Sequence, residues 1–195
     1  MVSSLLESLS GKLGSHLKVT ALVLVLVLGA SGCTSAGREN MQVVPYVDLE
    51  RFMGDWYVLA VIPTFVERDA FNPVETYTLN SNGTVATTFR FNKGPFGPPK
   101  ELTATGFIRD SDSNAIWGMQ FVWPFKADYR IVYLDADYQH TIVARQQRDY
   151  VWIMSREPAI NPMKLQSLID FAVGIGYEED KILLTSWQDA YERAM

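Results

Sequence analysis

The stretch at residues 45–63, PYVDLERFMGDWYVLAVIP, decides how the rest of the chain is read. Asp48-Leu49-Glu50-Arg51-Phe52-Met53 has the polar and apolar density of one tight helical turn. Asp48 suits its N-cap, because a short carboxylate can accept from the free amides of a first turn. Gly54 breaks that pattern, and from Trp56 a β-rich run continues through Tyr57, Val58, Leu59, Ala60, Val61 and Ile62. Gly54 and Trp56 stand two apart and share one face of the strand. The glycine leaves room for another backbone or side chain where the indole turns inward.

Strand-like segments recur downstream at short intervals. They cover residues 71–79, 84–92, 101–108, 115–123, 127–134, 138–146 and 149–155. Asn80-Ser81-Asn82-Gly83 is a hairpin turn, and residues 93–99, KGPFGPP, form a stiff loop fit to shape a rim. In residues 115–123, AIWGMQFVW, the side chains of Trp117, Met119, Phe121 and Trp123 alternate onto one face. Asn161-Pro162 then opens a helix, with Leu165, Leu168, Ile169 and Ala172 as its apolar stripe. Gly174 and Gly176 end it, and residues 181–187 suit a further short strand.

The 195 residues, 48% hydrophobic and 20% charged, suit one domain with appendages. Nine Tyr, ten Phe and five Trp supply both a β-protein and an apolar cavity. The net charge is −5, and removing residues 1–32 with their two lysines and one glutamate makes it more negative, which argues against a nucleic-acid partner. The single cysteine, Cys33, excludes an intramolecular disulfide, so the fold depends on core packing.

Near the N-terminus, residues 19–28, VTALVLVLVL, follow Lys12, His16 and Lys18. Ten residues are too few to span a bilayer and suit the apolar core of a signal peptide. The following Gly29-Ala30-Ser31-Gly32-Cys33 resembles a bacterial lipobox, with Ala30 where Leu is commoner. That resemblance implies that residues 1–32 are cut away and that Cys33 is acylated on its sulfur and new amine. Two or more acyl chains make such an anchor stable. Residues 33–44 then read as a tether, residues 45–195 as the folded domain, and Thr34 favours transfer to the bacterial outer membrane. An ordinary secretory signal with a free cysteine is the alternative.

The helical turn with Gly54 and Trp56 resembles the first signature of the lipocalins. Asp137-Tyr138, within Leu134-Asp135-Ala136-Asp137-Tyr138, resembles the second, with Ala136 where the family usually carries Thr. Trp152-Ile153-Met154-Ser155-Arg156 matches the third. The resemblance covers nearly all of the chain after the leader. It extends in particular to the bacterial outer-membrane members (Blc type) and their animal relative apolipoprotein D. It implies an all-β fold, an eight-stranded antiparallel up-and-down barrel with a C-terminal α-helix packed outside. The three signatures then meet at one end, Arg156 lies over the face of Trp56, and the other end is the mouth.

With Trp56 inward, the family pattern implies a ligand-lining set. It comprises Tyr77, Phe89 and Phe91 on the second and third strands and Trp117 and Phe121 on the fifth. Tyr129 on the sixth and Trp152 and Met154 on the eighth complete it. Such a wall suits a fatty acid or lysophospholipid, with tyrosine hydroxyls or Lys93 near the polar head. Alternatively the aromatics fill the barrel, leaving a structural or partner-binding lipoprotein. An enzyme acting on a lipophilic substrate is the weaker reading. His140 is the only histidine after the leader, and no Gly-x-Ser-x-Gly elbow, metal-spaced cluster or phosphate loop accompanies it. Glu67-Arg68-Asp69 and Glu178-Glu179-Asp180 read as solvated turns. The expected partners are a small hydrophobic ligand and, through acylated Cys33, a membrane, with a homodimer open because related bacterial members pair. No cofactor or metal is expected.

Overall fold

The computed structural model describes residues 40–187. A single helical turn, α1 (Leu49–Phe52), leads into β1 (Gly54–Ile62), β2 (Ala70–Leu79), β3 (Val85–Lys93) and β4 (Pro99–Ile108). After these come β5 (Ile116–Val122), β6 (Phe125–Leu134), β7 (His140–Ala144) and β8 (Val151–Ser155). Each strand pairs antiparallel with the next, and β1 pairs with both β2 and β8, so eight strands close into a barrel. Helix α2 (Pro162–Gly174) and a two-residue strand, β9 (Leu183–Leu184), follow.

The sharing of β1 is uneven. Gly54, Asp55, Trp56 and Tyr57 pair with β2, whereas Tyr57 through Ile62 pair with β8. Where β1 parts from β2, β9 pairs with Ala60 and Val61 and covers an edge that would otherwise be open. The strand expected over 181–187 is thus only two residues long. Its neighbours still stitch β1 to β2. The Thr185 amide donates to the Leu59 carbonyl at 2.9 Å, and the Trp187 indole donates to the Pro73 carbonyl at 3.0 Å.

Alternation along the strands sends side chains to two cores. The inner one holds Trp56, Val58, Tyr77, Trp117, Tyr129 and Met154, all buried. The outer one packs Leu59, Ile142, Val151 and Ile153 against Leu165, Leu168, Ile169 and Ala172 of α2, the stripe read from its spacing. Asn161 caps α2 by accepting from the Met163 amide at 2.8 Å, with Pro162 at the first turn. A bulge in β1 between Val58 and Ala60 lets Leu59 and Ala60 both face this outer core.

The leader and Cys33 lie outside the described residues. The last part of the expected tether lies on the barrel: Met41 is buried, its amide donating to Gln146 Oε1 at 3.0 Å, and the Val44 amide donates to the Ile131 carbonyl at 3.0 Å.

One end of the barrel is closed by α1 and Arg156. Asp48 Oδ1 accepts from the Glu50 and Arg51 amides at 3.0 and 3.2 Å, which starts the turn. Arg156 ends it. Its Nη2 donates to the carbonyls of Arg51, Phe52 and Met53 at 2.9, 3.1 and 2.8 Å, and its Nη1 to that of Asp55 at 2.6 Å. The guanidinium lies 3.8 Å from the centroid of the Trp56 ring. Gly54 has φ +94°, and a Cβ there would stand 3.4 Å from Arg156 Nη1. The positive φ favours glycine.

The β6–β7 turn braces the same end. The Tyr138 hydroxyl accepts from the Asp48 amide at 2.9 Å, and Arg51 lies over the Tyr138 ring at 3.9 Å. Asp137, expected as the acidic member of the second signature, is exposed. The capping falls to Asp135, which opens the turn and whose Oδ1 accepts from the Gln139 and His140 amides at 2.7 and 3.2 Å. Asp135 Oδ2 also meets His140 Nδ1 at 2.6 Å, which makes His140 a brace of this turn, on the far side from the mouth.

Replacing Arg156 with alanine is expected to cost about 2–4 kcal/mol, because it removes the donor from four carbonyls, two of them in part-buried bonds, and uncovers the indole. Arg156→Lys should recover less than half of the loss, since one ammonium cannot reproduce the fork. Urea denaturation of the three proteins checks both values, and equal stability of the lysine form would refute the carbonyl-capping role.

Candidate functional site

Above the closed end lies a cavity of about 430 Å³, within the ~300–1,000 Å³ common for small-ligand sites. Its floor is Tyr77 and Tyr129, whose hydroxyls hydrogen-bond at 2.8 Å. Its wall is Phe89 and Leu102 on β3 and β4, Met119 on β5, Val143 on β7, and Trp152 and Met154 on β8. Thr64, Val66 and Glu67 from the β1–β2 loop and Phe121 and Val122 from the end of β5 form the rim.

Six of the eight side chains expected at the site border this space: Tyr77, Phe89, Phe121, Tyr129, Trp152 and Met154. Two do not. Trp117 is completely buried and stacks on Tyr129, with centroids 5.0 Å apart and planes 11° apart. Its edge meets Phe52 and Tyr77, so it plugs the closed end beneath the floor. Phe91 packs on Phe89 at 5.0 Å on the same face but does not border the cavity, lying beside the gap where the β2–β3 register shifts. Phe121 borders the rim and is 58% exposed, and Trp123 has left the inner face altogether, 81% exposed. The register shift between Met119 and Val122 breaks the alternation that would have kept both inside.

The polar groups of the cavity differ from those expected. Lys93 does not line it; it sits on an exposed ledge with Arg68 and Asp69. Glu67 is turned inward instead. Its Oε1 accepts from the Trp152 indole at 2.9 Å and its Oε2 from the Thr64 amide at 2.7 Å, so a residue read as solvated fixes the loop across the mouth. Glu75 also lines the cavity. It pairs with Trp56 on β1 and with Phe89 on β3, and all three point inward. Standing two residues before Tyr77, it shares that residue's face, so alternation alone finds it once acidic side chains are admitted to the search.

Burial, and after it the negative charge of Glu67, push the Glu75 carboxyl up to about 8, with hydrogen bonding to the Tyr77 hydroxyl opposing them. Burial and the charge of Glu75 also hold Tyr77 and Tyr129 well above the ordinary phenol range, so both hydroxyls keep their protons. The remaining charged groups on the wall form ion pairs: Asp128 meets Arg130 at 3.0 Å and Arg145 meets Asp149 at 3.2 Å, while Arg145 Nε is buried without a hydrogen-bond partner. Among the described residues no group of His, Cys, Asp and Glu is arranged to hold a metal ion.

An acid whose pKa is higher folded than unfolded binds more protons in the folded state. The contribution of Glu75 to stability therefore falls as pH climbs from about 4.5 to about 8 and is level above that. Glu75→Gln is expected to stabilise the ligand-free protein at neutral pH by about 1–3 kcal/mol and to change little in acid. Urea denaturation at about pH 4 and 7 reads this difference, and equal effects at both would refute a buried acid.

The family described as "Lipocalin-like domain" matches residues 47–186. "Outer membrane lipoprotein Blc" of Citrobacter freundii is 29% identical over 171 residues, covering 86% of this chain and 94% of that protein. "Temperature-induced lipocalin-1" of Arabidopsis thaliana is 30% identical over 164 residues, covering 78% and 86%. Among solved structures, insecticyanin from the tobacco hornworm Manduca sexta superposes with a TM-score of 0.58 at 14% identity, covering 76% of this chain and 86% of that one. The cockroach allergen Per a 4 gives 0.55 at 20% identity, covering 75% and 94%. Barrel, outer helix and matched residues agree: the chain belongs to the lipocalin family.

Proposed function

We propose that this protein is a membrane-anchored lipid-binding lipocalin that binds or stores fatty acids or lysophospholipids during maintenance or stress of a cell envelope. Lipocalins are binding proteins rather than enzymes, and small hydrophobic molecules are their general ligands. The observation that carries the proposal is the cavity. A barrel packed solid by its aromatics would leave no ligand volume, whereas Trp117 and Phe91 withdraw into the floor and flank and leave about 430 Å³ free. Each methylene buried there contributes about 0.8 kcal/mol, so a single acyl chain can bind tightly with little help from its head.

The mouth supports uptake from a lipid phase. Phe65 in the β1–β2 loop, Phe96 in the β3–β4 loop, and Trp123 and Phe125 in the β5–β6 hairpin are all exposed at that end. Exposed aromatics gathered on one side of a molecule mark an interaction surface. The lipobox-like Gly29-Ala30-Ser31-Gly32-Cys33 and the printed names of the lipoprotein relatives support anchoring through acylated Cys33 in a bacterial outer membrane.

Native mass spectrometry of residues 40–195 mixed with oleate or with lysophospholipid is expected to give a complex of one lipid per chain. Ala127→Trp, which fills the cavity from β6, should weaken that complex at least about tenfold while the fold persists. Equal uptake by both proteins would refute the cavity as the site. Full-length protein made in a bacterial host is expected to fractionate with membranes, and Cys33→Ser to release it. Membrane retention of the serine variant would overturn the anchor.

A further inference from the structure

Glu75 is unlike the rest of the cavity wall. A ligand site built only for acyl chains has no use for a carboxyl group halfway down, where ionising it is expensive. The side chains beside it on β1, β2 and β3 offer no cation. Across β1 stands Trp56 and across β3 stands Phe89. Next to it on β2 is Tyr77, and Tyr129 from β6 joins Tyr77 at the floor. From the β1–β2 loop comes Glu67, held by the neutral donors of Trp152 and Thr64. The other charged groups on the wall, Asp128 and Arg145, have ion-pair partners in Arg130 and Asp149, and Arg145 Nε is buried without a hydrogen-bond partner. Glu67 and Glu75 are therefore two carboxyl groups facing one largely apolar space, neither in an ion pair of its own among the described residues.

We propose that Glu75 is a specificity-determining residue and that the cavity takes a single-chain amphiphile bearing an ammonium group. This inference rests on the lipid-binding reading of the same cavity. The cationic head lies against the β2 side, where Glu75 and Glu67 both face it. The chain runs along the apolar strands β4 and β5, past Leu102 and Met119. A positive charge there removes both causes that keep Glu75 protonated, since it supplies the missing counter-ion and offsets the repulsion from Glu67. A carboxylate head would add a third negative group to the same space.

The proposal has a proton signature. Glu75 carries a proton in the empty cavity near neutral pH and loses it to solvent when the ammonium enters, so affinity for a fixed cation rises with pH until the empty site ionises at about 8. Dodecyltrimethylammonium, dodecanol and dodecanoate share a chain and differ in head, and the first has no titrating group of its own. Their competition for the cavity is read by displacement of a neutral fluorescent probe, below their critical micelle concentrations. For the wild-type protein, affinity for the ammonium should climb by roughly tenfold or more between about pH 6.5 and 8.5, while that for dodecanol stays level. Dodecanoate should weaken over the same range.

In Glu75→Gln the climb should vanish and the preference for ammonium over alcohol should shrink, with thermal unfolding reporting that the variant is folded. Glu67→Gln, which leaves Glu75 in place, should keep the climb and move it to lower pH. An ammonium that binds no better than the alcohol at the upper pH, or a climb that survives in Glu75→Gln, overturns the role of Glu75 and leaves lipid binding standing. Failure of all three amphiphiles to displace the probe overturns both readings.

Discussion

The contact of Arg156 with the α1 carbonyls and the Trp56 ring is the constraint on which the rest of the structure depends. A barrel of eight strands has two equivalent ends until something distinguishes them. Here a residue at the end of the last strand reaches across about a hundred positions of sequence to cap a helical turn before the first. The interaction needs Gly54 beside it, Trp56 beneath it and Tyr138 against Asp48. Because α1 is only four residues long, its last carbonyls have no partner further along the helix, and Arg156 supplies donors to them, sharing that of Phe52 with the Trp56 indole. One guanidinium satisfies several of them together, which neither a lysine nor a neutral side chain can do.

Closing one end in this way sorts the connections between strands. The β2–β3, β4–β5 and β6–β7 turns fall at the plugged end and are short and polar, held by Asn82, Asp110 and Asp135. The other connections surround the mouth and carry Phe65, Phe96, Trp123 and Phe125 into solvent. The same alternation that fills the floor with Trp56, Tyr77, Trp117 and Tyr129 leaves the upper wall to side chains that do not meet across the barrel. The cavity is thus a consequence of where the large aromatics were placed along each strand.

Much of this was legible in the sequence, and the reasons are local. The helical turn, Gly54, Trp56 and Arg156 announce themselves by residue type, and the α2 stripe by its spacing. The cavity wall was read correctly where a strand keeps its period, as for Tyr77, Phe89, Tyr129 and Met154. It was misread where depth decides: Trp117 and Phe91 lie on the inner face, but periodicity gives the face and says nothing of the height along the barrel axis. Phe121 and Trp123 sit beyond a register shift that no single-strand pattern reveals. The resemblance singles out Asp137 beside Tyr138 and says nothing of Asp135, whose turn hydrogen bonds follow from its place at the opening of the turn.

The acids were missed for a different reason. A charge in a loop is normally solvated and a charge in a strand normally points outward, so Glu67 reads as a solvated residue and nothing in the pattern of β2 singles out Glu75. What overrides that expectation is the rigid frame around them. Glu75 cannot swing out, because the pairing of β2 with Trp56 and Phe89 fixes its face, and reversing it would drive Tyr77 out of the floor. Glu67 is held inward by the Trp152 indole, itself locked in β8. The strand pairing that turns Glu75 into the cavity thereby takes it out of bulk solvent, and with Glu67 facing the same space the carboxyl is raised by both its burial and its neighbour's charge.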